Sequence, residues 1–240
     1  MNYYQYKKFE MTEKPIIKKT AVVFGGTGLV GRELINQLIG REDYENIIAV
    51  LRIPLPFSDT KLEQLILPDF SHLLQLKGEL KATDYFCCIG TTIKKAGSQE
   101  AFRLVDFGIP KDIASLAESL SVTNFVLISS IGADASSSNF YLRTKGEMEN
   151  TVRDLYSGNL KIVRPSLLMG KRKEYRFGEN FAEFFMTILG WLFCGPLSKY
   201  RGIYARDVAN AMIIISGDPS DKVVFETNEL RAAIKRKKLP

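Results

Sequence analysis

The stretch TAVVFGGTGLVGRELINQLIG, Thr20 to Gly40, decides the fold class of this chain. Its first five residues are β-branched, apolar or aromatic, a composition typical of a buried strand. Closely spaced glycines follow, and apolar residues then recur at helical spacing up to the terminal Gly40. The stretch therefore predicts a strand, a tight turn and a helix, in that order.

The same alternation continues along the chain. Further strands are predicted at NIIAVLR, QLILPDF, DYFCCIG, NFVLISS and LKIVRPS. Helices are predicted at SQEAFRLVDFGIPKDIASLAESL, where Pro110 marks a break or kink, and from about Asn139 to Tyr156. Strands that alternate with helices imply right-handed crossovers and a parallel sheet that is covered on both faces. We therefore predict an α/β fold, a Rossmann-type doubly wound parallel sheet.

The pattern divides the chain into three parts of one integrated domain. Residues 1–19 form a basic N-terminal tail, residues 20–166 the cofactor-binding Rossmann core, and residues 167–240 a small cap on the carboxyl edge with a late strand, KVVFET, and a basic C-terminal tail. The most apolar segment, Phe181 to Leu197, carries Glu183, two glycines and a proline. That composition favours a buried or lid helix over contact with a membrane.

Composition excludes several classes of function. The net charge of +6 comes largely from the two end segments, which we interpret as solvated tails. Nucleic-acid binding would require a basic face with interleaved aromatics on an ordered element. A single histidine, His72, and three cysteines without metal spacing disfavour a metal site. No apolar signal peptide opens the chain, so the reducing cytoplasm is the expected location.

The glycines have the spacing Gly25-x-x-Gly28-x-x-Gly31 at the predicted strand-to-helix turn. Glycines there let the backbone approach a pyrophosphate, whose charge is met by free N–H groups and the positive end of the helix dipole. The alternative is a turn that is merely tight. The candidate cofactor-binding residues of this turn are Gly25, Thr27, Gly28, Leu29, Val30 and Gly31.

The second strand suggests which cofactor is bound. A chain that holds the ribose 2′-hydroxyl of NAD has an acidic residue at the end of this strand, whereas here the strand ends in Arg52 with no carboxylate near it. An arginine suits a 2′-phosphate, which indicates NADP(H), although it is also an ordinary surface residue. Asp69, after the third strand, would accept a hydrogen bond from the adenine amino group or cap the next helix.

The segment NFYLRTKGE places Tyr141 and Lys145 four residues apart, on one face of a helix that follows the fifth strand. A free tyrosine has a pKa of ~10, and useful acid/base chemistry near neutral pH needs it lowered by ~2 to 3 units. A lysine ammonium in a partly desolvated cleft favours the phenolate. Ser130, or Ser129 if the turn is rotated, would hold a substrate carbonyl; the alternative is that both serines satisfy backbone groups.

With the glycine turn, FCCIGTT, ISSIGADASSSNFYLRTKGE and VRPSLLMG in this order, the chain resembles the short-chain dehydrogenase/reductase superfamily. It is most similar to the atypical branch related to the Tat-interacting protein and its bacterial oxidoreductase-like relatives. The resemblance implies NADP(H) on the glycine turn, with Arg52 near the 2′-phosphate. It also implies an active site of Ser130, Tyr141 and Lys145. Further cofactor contacts that it implies are Gly90, Pro165 and Ser166, together with Tyr141 and Lys145.

The chain departs from the superfamily pattern at Asp106, where many members have an asparagine of the proton relay. We expect an NADP(H)-dependent oxidoreductase that acts on a small carbonyl or alcohol. The alternative is an NADPH-binding regulatory or scaffold protein that acts through a protein partner without turnover, since the branch includes such proteins. We also expect a homodimer. We expect neither nucleic-acid binding nor a segment that spans a membrane.

Overall fold

The computed structural model describes residues 17–169 and 202–237. Within them a seven-stranded sheet has the order β3-β2-β1-β4-β5-β6-β9, and every neighbouring pair is parallel. Its strands are β1 (Lys19–Phe24), β2 (Tyr44–Leu51), β3 (Leu62–Ile66), β4 (Asp84–Cys87), β5 (Asn124–Ile128), β6 (Asn159–Arg164) and β9 (Val224–Glu226). Two short strands, β7 (Leu168–Met169) and β8 (Ile203–Tyr204), pair separately. The predicted doubly wound parallel sheet is confirmed.

Helices cover both faces of this sheet. They are α1 (Leu29–Ile39), α2 (Ile93–Ala96), α3 (Gln99–Arg103), α4 (Ile109–Ser119), α5 (Phe140–Leu155), α6 (Ala205–Ser216) and α7 (Thr227–Lys237), and a 3-10 helix spans Phe70–Leu76. One face packs against α1, α6 and α7. The other packs against the 3-10 helix, α4 and α5. The two apolar layers are the reason that the strands read as nearly continuous apolar runs.

The vicinal cysteines show that one strand contributes side chains to the apolar layers on both faces of the sheet. Cys87 packs in the layer under α4 and α5, and Cys88 packs against the layer under α1 and α6. Successive residues of a strand point to opposite faces, so this arrangement follows from the pleat. Burial raises the pKa of the Cys87 thiol to about 12. Both residues therefore belong to the packed interior.

The break predicted at Pro110 is a π-helical turn. Residues Leu104–Gly108 join α3 to α4, and the Ile109 N–H donates to the carbonyl of Leu104, five residues earlier. Proline has no N–H for the carbonyl four residues before it, so the hydrogen-bond ladder widens just ahead of Pro110 instead of continuing as an α-helix. The chain keeps its helical direction, and the widened turn contains Asp106.

The prediction of a solvated basic C-terminal tail is wrong for the residues that the structure describes. They form α7, in which Leu230 is fully buried while Ala233 and Ile234 pack on the core. The basic residues of the last turn, Lys235, Arg236 and Lys237, stay exposed. An apolar stripe stabilises the helix by burial, and a basic last turn complements the helix dipole.

The described part of the predicted cap is integrated with the core. Strand β9 extends the main sheet beside β6, and α6 packs against α1. Strands β7 and β8 pair in parallel, with Leu168 opposite Ile203 and Met169 opposite Tyr204. The apolar stretch Phe181 to Leu197 lies outside the described residues. Among the helices of the described part, none has the length and apolar character that crossing a membrane requires.

Candidate active site

The glycine turn after β1 has a backbone that only glycine fits well. Gly25 has φ +83°, and a Cβ there would lie 2.7 Å from the carbonyl oxygen of Cys88. A Cβ on Gly31 would lie 2.9 Å from the carbonyl carbon of Gly25, so α1 packs directly on the turn. The Gly28 N–H donates to the Gly25 oxygen at 3.0 Å, which closes the turn.

The N-terminus of α1 fits a bound pyrophosphate. Gly28 is the N-cap residue, and no side chain caps the first turn of this helix. Its leading N–H groups therefore point outward with the positive end of the helix dipole. Thr27 and Gly28 are exposed and Leu29 is half-buried, whereas Val30 is buried in the core. Because the side chain of Val30 is buried, this predicted contact could reach a ligand only through its backbone.

Arg52 and Asp69 follow neighbouring strands at the same edge of the sheet. Arg52 comes directly after β2 and is exposed. The Asp69 carboxylate accepts a hydrogen bond from the Ser71 N–H at 2.9 Å and caps the 3-10 helix. Of the two roles considered for Asp69, the structure therefore shows the helix cap.

Ser130, Tyr141 and Lys145 come together where β5 leads into α5. Asn139 begins this helix by accepting a hydrogen bond from the Leu142 N–H at 3.1 Å, which places Tyr141 in the first turn and Lys145 one turn later. Ser130 and Lys145 both interact with the Tyr141 side chain, Ser130 through its hydroxyl and Lys145 through its charge. The tyrosine ring packs on Phe102, with ring centroids 5.6 Å apart.

The two serines at the end of β5 have different surroundings. The Ser130 hydroxyl donates a long hydrogen bond, 3.4 Å, to the carbonyl of Ile131, and it also acts on Tyr141, whose pKa it lowers. The Ser129 hydroxyl is buried and has no hydrogen-bond partner among the described residues. Of the two serines, Ser130 is accordingly the one that interacts with Tyr141.

Lys145 is held by a buried carboxylate. Its side chain is 4 % exposed, and its Nζ lies 2.6 Å from Oδ1 of Asp106. The second oxygen of Asp106 accepts a hydrogen bond from the Thr91 N–H at 2.8 Å. Sequence reasoning marked Asp106 as a departure from the family pattern but did not pair it with Lys145. The available signal was an acidic residue on the apolar side of a helical pattern.

The predicted lowering of the Tyr141 pKa is not found among the groups of the protein. Burial raises the pKa of Tyr141; the charge of Lys145 and the Ser130 hydrogen bond act in the opposite direction, and Asp106 raises it further. For Lys145, burial lowers the pKa, but the attraction of Asp106 and of Tyr141 exceeds this effect, so its pKa is raised. Lys145 is therefore an ammonium paired with Asp106, and at Tyr141 the charge of Asp106 opposes that of Lys145 with the smaller effect.

The turns after β4 and β6 flank this cluster. A Cβ on Gly90 would lie 3.4 Å from the carboxylate of Asp106 and 3.9 Å from the Lys145 ammonium. The Ile131 N–H donates to the Pro165 oxygen at 3.2 Å, and the buried Ser166 donates its N–H to Thr227 at 2.8 Å. These bonds fix the backbone at Pro165 and Ser166 and tie it to α7.

Gly146 is a site residue that sequence reasoning missed. It follows Lys145 in α5, and a Cβ there would lie 2.7 Å from Cα of Asp134, in the loop after β5. The helix can lie against this loop only because residue 146 has no side chain. A glycine inside an otherwise helical pattern is the signal that would have identified it.

The sequence of the chain is similar to a family model and to several known proteins. A family model described as NAD(P)H-binding matches residues 25–187. The mitochondrial protein FMP52 of Debaryomyces hansenii is 34% identical over 204 residues, which cover 83% of this chain and 88% of that protein. The protein HTATIP2 of Rattus norvegicus is 34% identical over 175 residues, which cover 71% of this chain and 72% of its own.

Solved structures share the fold at low sequence identity. The enzyme WbmG of Bordetella bronchiseptica, in complex with NAD, superposes with a TM-score of 0.65 at 13% identity and covers 92% of this chain and 78% of its own. The UDP-glucose 4-epimerase of Thermotoga maritima, with UDP-glucose, gives a TM-score of 0.64 at 14% identity, with coverage of 90% and 82%. At such identities the likeness establishes the fold alone.

Proposed function

The chain belongs to the NAD(P)H-binding family, in the atypical branch of the short-chain dehydrogenase/reductase superfamily, and we propose that it is an NADP(H)-dependent oxidoreductase acting on a small carbonyl or alcohol. The observation that carries the proposal is that the Ser130 hydroxyl and the Lys145 ammonium both act on the Tyr141 hydroxyl, each in the direction that lowers its pKa. A protein that only senses the cofactor needs the glycine turn but no proton donor.

Each residue of the cluster has a defined task in this proposal. Tyr141 gives a proton to the carbonyl oxygen in reduction and takes it back in oxidation, and Ser130 orients that oxygen through its hydroxyl. An ammonium has three N–H donors, so Lys145 can hold Asp106 and still donate to the ribose of the cofactor. When bound, the nicotinamide supplies or accepts the hydride.

The test of this function is turnover by the wild-type protein. We expect oxidation of NADPH in the presence of at least some members of a panel of aldehydes and ketones, followed by the loss of absorbance of the reduced nicotinamide. Cofactor binding without turnover across the panel would support the scaffold alternative, in which the protein acts through a partner. Failure to bind either nicotinamide cofactor would contradict both functions.

We propose NADP(H) rather than NAD(H) because Arg52 directly follows β2 and the next acidic residue is Asp59. NADP(H) is expected to bind at least ~10-fold more tightly than NAD(H), about 1.4 kcal/mol, which is modest for an arginine-phosphate contact. Arg52→Glu should abolish this preference, because the new carboxylate repels the 2′-phosphate. Calorimetric titration of both cofactors measures it.

Arg153→Glu is the matched control for the charge change, because Arg153 is an exposed arginine at the far end of α5. It should leave the ratio of the two affinities unchanged. Equal affinities of the wild-type protein for NADP(H) and NAD(H) would show that Arg52 is an ordinary surface residue.

We also propose where in the cell the protein is located. Cys87 and Cys88 are free thiols, which suits a reducing compartment, and we propose the cytoplasm. Microscopy of the full-length chain with a C-terminal tag tests this, and a mitochondrial signal would overturn it.

A further inference from the structure

A buried carboxylate contacts the acid/base cluster although the proposed proton transfer does not use it directly. Asp106 is fully buried, with one oxygen 2.6 Å from the Lys145 ammonium and the other accepting the Thr91 N–H at 2.8 Å. A buried charge is tolerated only when it is paired and hydrogen-bonded. Oδ1 of Asp106 is thus held to α5 by the ion pair alone, since it has no hydrogen-bond partner among the described residues, and Oδ2 is hydrogen-bonded to the turn that contains Gly90.

The backbone that presents Asp106 is itself unusual. Asp106 is the central residue of the π-helical turn Leu104–Gly108, and π-helical turns are rare and frequently found at functional sites. An exposed ion pair between Arg103 and Glu147 ties the start of this turn to α5 as well. Two ion pairs thus join the turn to α5, a buried one between Asp106 and Lys145 and an exposed one between Arg103 and Glu147.

We infer that Asp106 is a positioning residue that holds Lys145 against the Gly90 turn and, by opposing the charge of the lysine, adds to the effect of burial in keeping the Tyr141 hydroxyl protonated, so that the site is poised to reduce carbonyl compounds. The inference rests on the proposed function. In the reduction, the carbonyl carbon receives a hydride from NADPH and the oxygen receives the proton of Tyr141. The C=O π bond is lost, a C–H and an O–H bond form, NADPH becomes NADP⁺, and water reprotonates the tyrosinate.

The charges around Tyr141 determine the sign of the effect. The titratable groups that face the Asp106–Lys145 pair are Tyr141 on α5 and Cys87 on β4. For both, Lys145 lowers the pKa and Asp106 raises it. Replacing Asp106 by a neutral isostere leaves the ammonium unopposed, and the pKa of Tyr141 must fall. More phenolate is then present near neutral pH, which favours the alcohol-oxidising direction and disfavours proton donation.

The experiment compares the ionisation of Tyr141 in the full-length wild-type protein and in Asp106→Asn. Ultraviolet difference titration is referenced to the same protein carrying Tyr141→Phe, which isolates this phenol from the other tyrosines. The midpoint in Asp106→Asn is expected to lie about one pH unit lower, the scale of a nearby charge. The upper limb of the pH profile of carbonyl reduction should move down by the same amount, while alcohol oxidation at neutral pH should rise.

Glu149→Gln is the matched control, since Glu149 is a buried carboxylate on α5 that pairs with Arg164 and not with Lys145. It should leave the Tyr141 midpoint in place. Asp106→Glu keeps the charge and should restore the wild-type midpoint, which a loss of packing alone would not do. An Asp106→Asn midpoint equal to that of the wild type would overturn the inference.

Two further outcomes keep the inference separate from the proposed function. If no carbonyl compound is turned over, the proposed function fails, but the spectroscopic midpoint still tests the role of Asp106. If Asp106→Asn does not fold, the wild-type titration decides. A Tyr141 midpoint below the ordinary value for tyrosine, ~10, would contradict a hydroxyl that Asp106 keeps protonated.

Discussion

Tyr141→Phe is expected to lower the rate of carbonyl reduction by a factor of ~10² or more, the scale of general acid catalysis, without changing the fold or the affinity for the cofactor. The substitution removes one hydroxyl and retains the ring, which still packs on Phe102 at a centroid distance of 5.6 Å. Steady-state kinetics with a carbonyl substrate, cofactor titration and thermal unfolding measure the three quantities.

Tyr156→Phe is the control, because it also removes one tyrosine hydroxyl but does so at the C-terminal end of α5. Tyr156 is the C-cap residue of this helix, and its hydroxyl donates to the carbonyl of Val122 at 2.7 Å, away from the site. Its removal should lower the free energy of unfolding by about 1 kcal/mol and leave the rate unchanged. A wild-type protein that turns over, together with an equally fast Tyr141→Phe variant, would refute the assigned proton donor while sparing the fold.

The fold could be predicted from the sequence because its decisive signals are local. The stretch from Thr20 to Gly40 contains a complete strand, turn and helix, and each later strand has an apolar run of its own. The order of strands in the sheet is a property of tertiary packing, and so is the place of β9 beside β6. The tail interpretation of α7 failed for a related reason: its exposed basic last turn dominates the composition, and the buried Leu230 is a weak signal.

Some features of the site could likewise be predicted from the sequence, and others could not. The glycine turn and the spacing of Tyr141 and Lys145 each lie within one element, so that the sequence pattern was sufficient to locate them. The ion pair between Asp106 and Lys145 joins two helices through a π-helical turn that no spacing rule predicts. The expected direction of the Tyr141 pKa was wrong mainly because burial of the phenol raises it, and Asp106 adds a smaller effect of the same sign.

Gly146→Ala is expected to reduce the free energy of unfolding by about 3 kcal/mol, the upper part of the range for overpacking. A Cβ at this position would lie within 3.0 Å of three backbone atoms of Asp134 and Ala135. Backbone cannot rotate away as a flexible side chain can, so either α5 or the loop must move. That loop is also bonded to α5 through the Asp134 N–H, which donates to the Leu142 carbonyl at 3.1 Å.

Because the shift moves the helix that carries Tyr141 and Lys145, loss of stability and loss of carbonyl reduction should occur together in Gly146→Ala. Gly217→Ala is the matched control, since Gly217 caps α6 and a Cβ there meets nothing within 4 Å; it should change stability by less than ~0.5 kcal/mol. Urea unfolding of both variants measures the difference. If the two midpoints coincide, α5 can move relative to the loop at little cost, and a helix so loosely held could not keep Tyr141 and Lys145 in the fixed relation to Ser130 and Asp106 that the proposed chemistry requires.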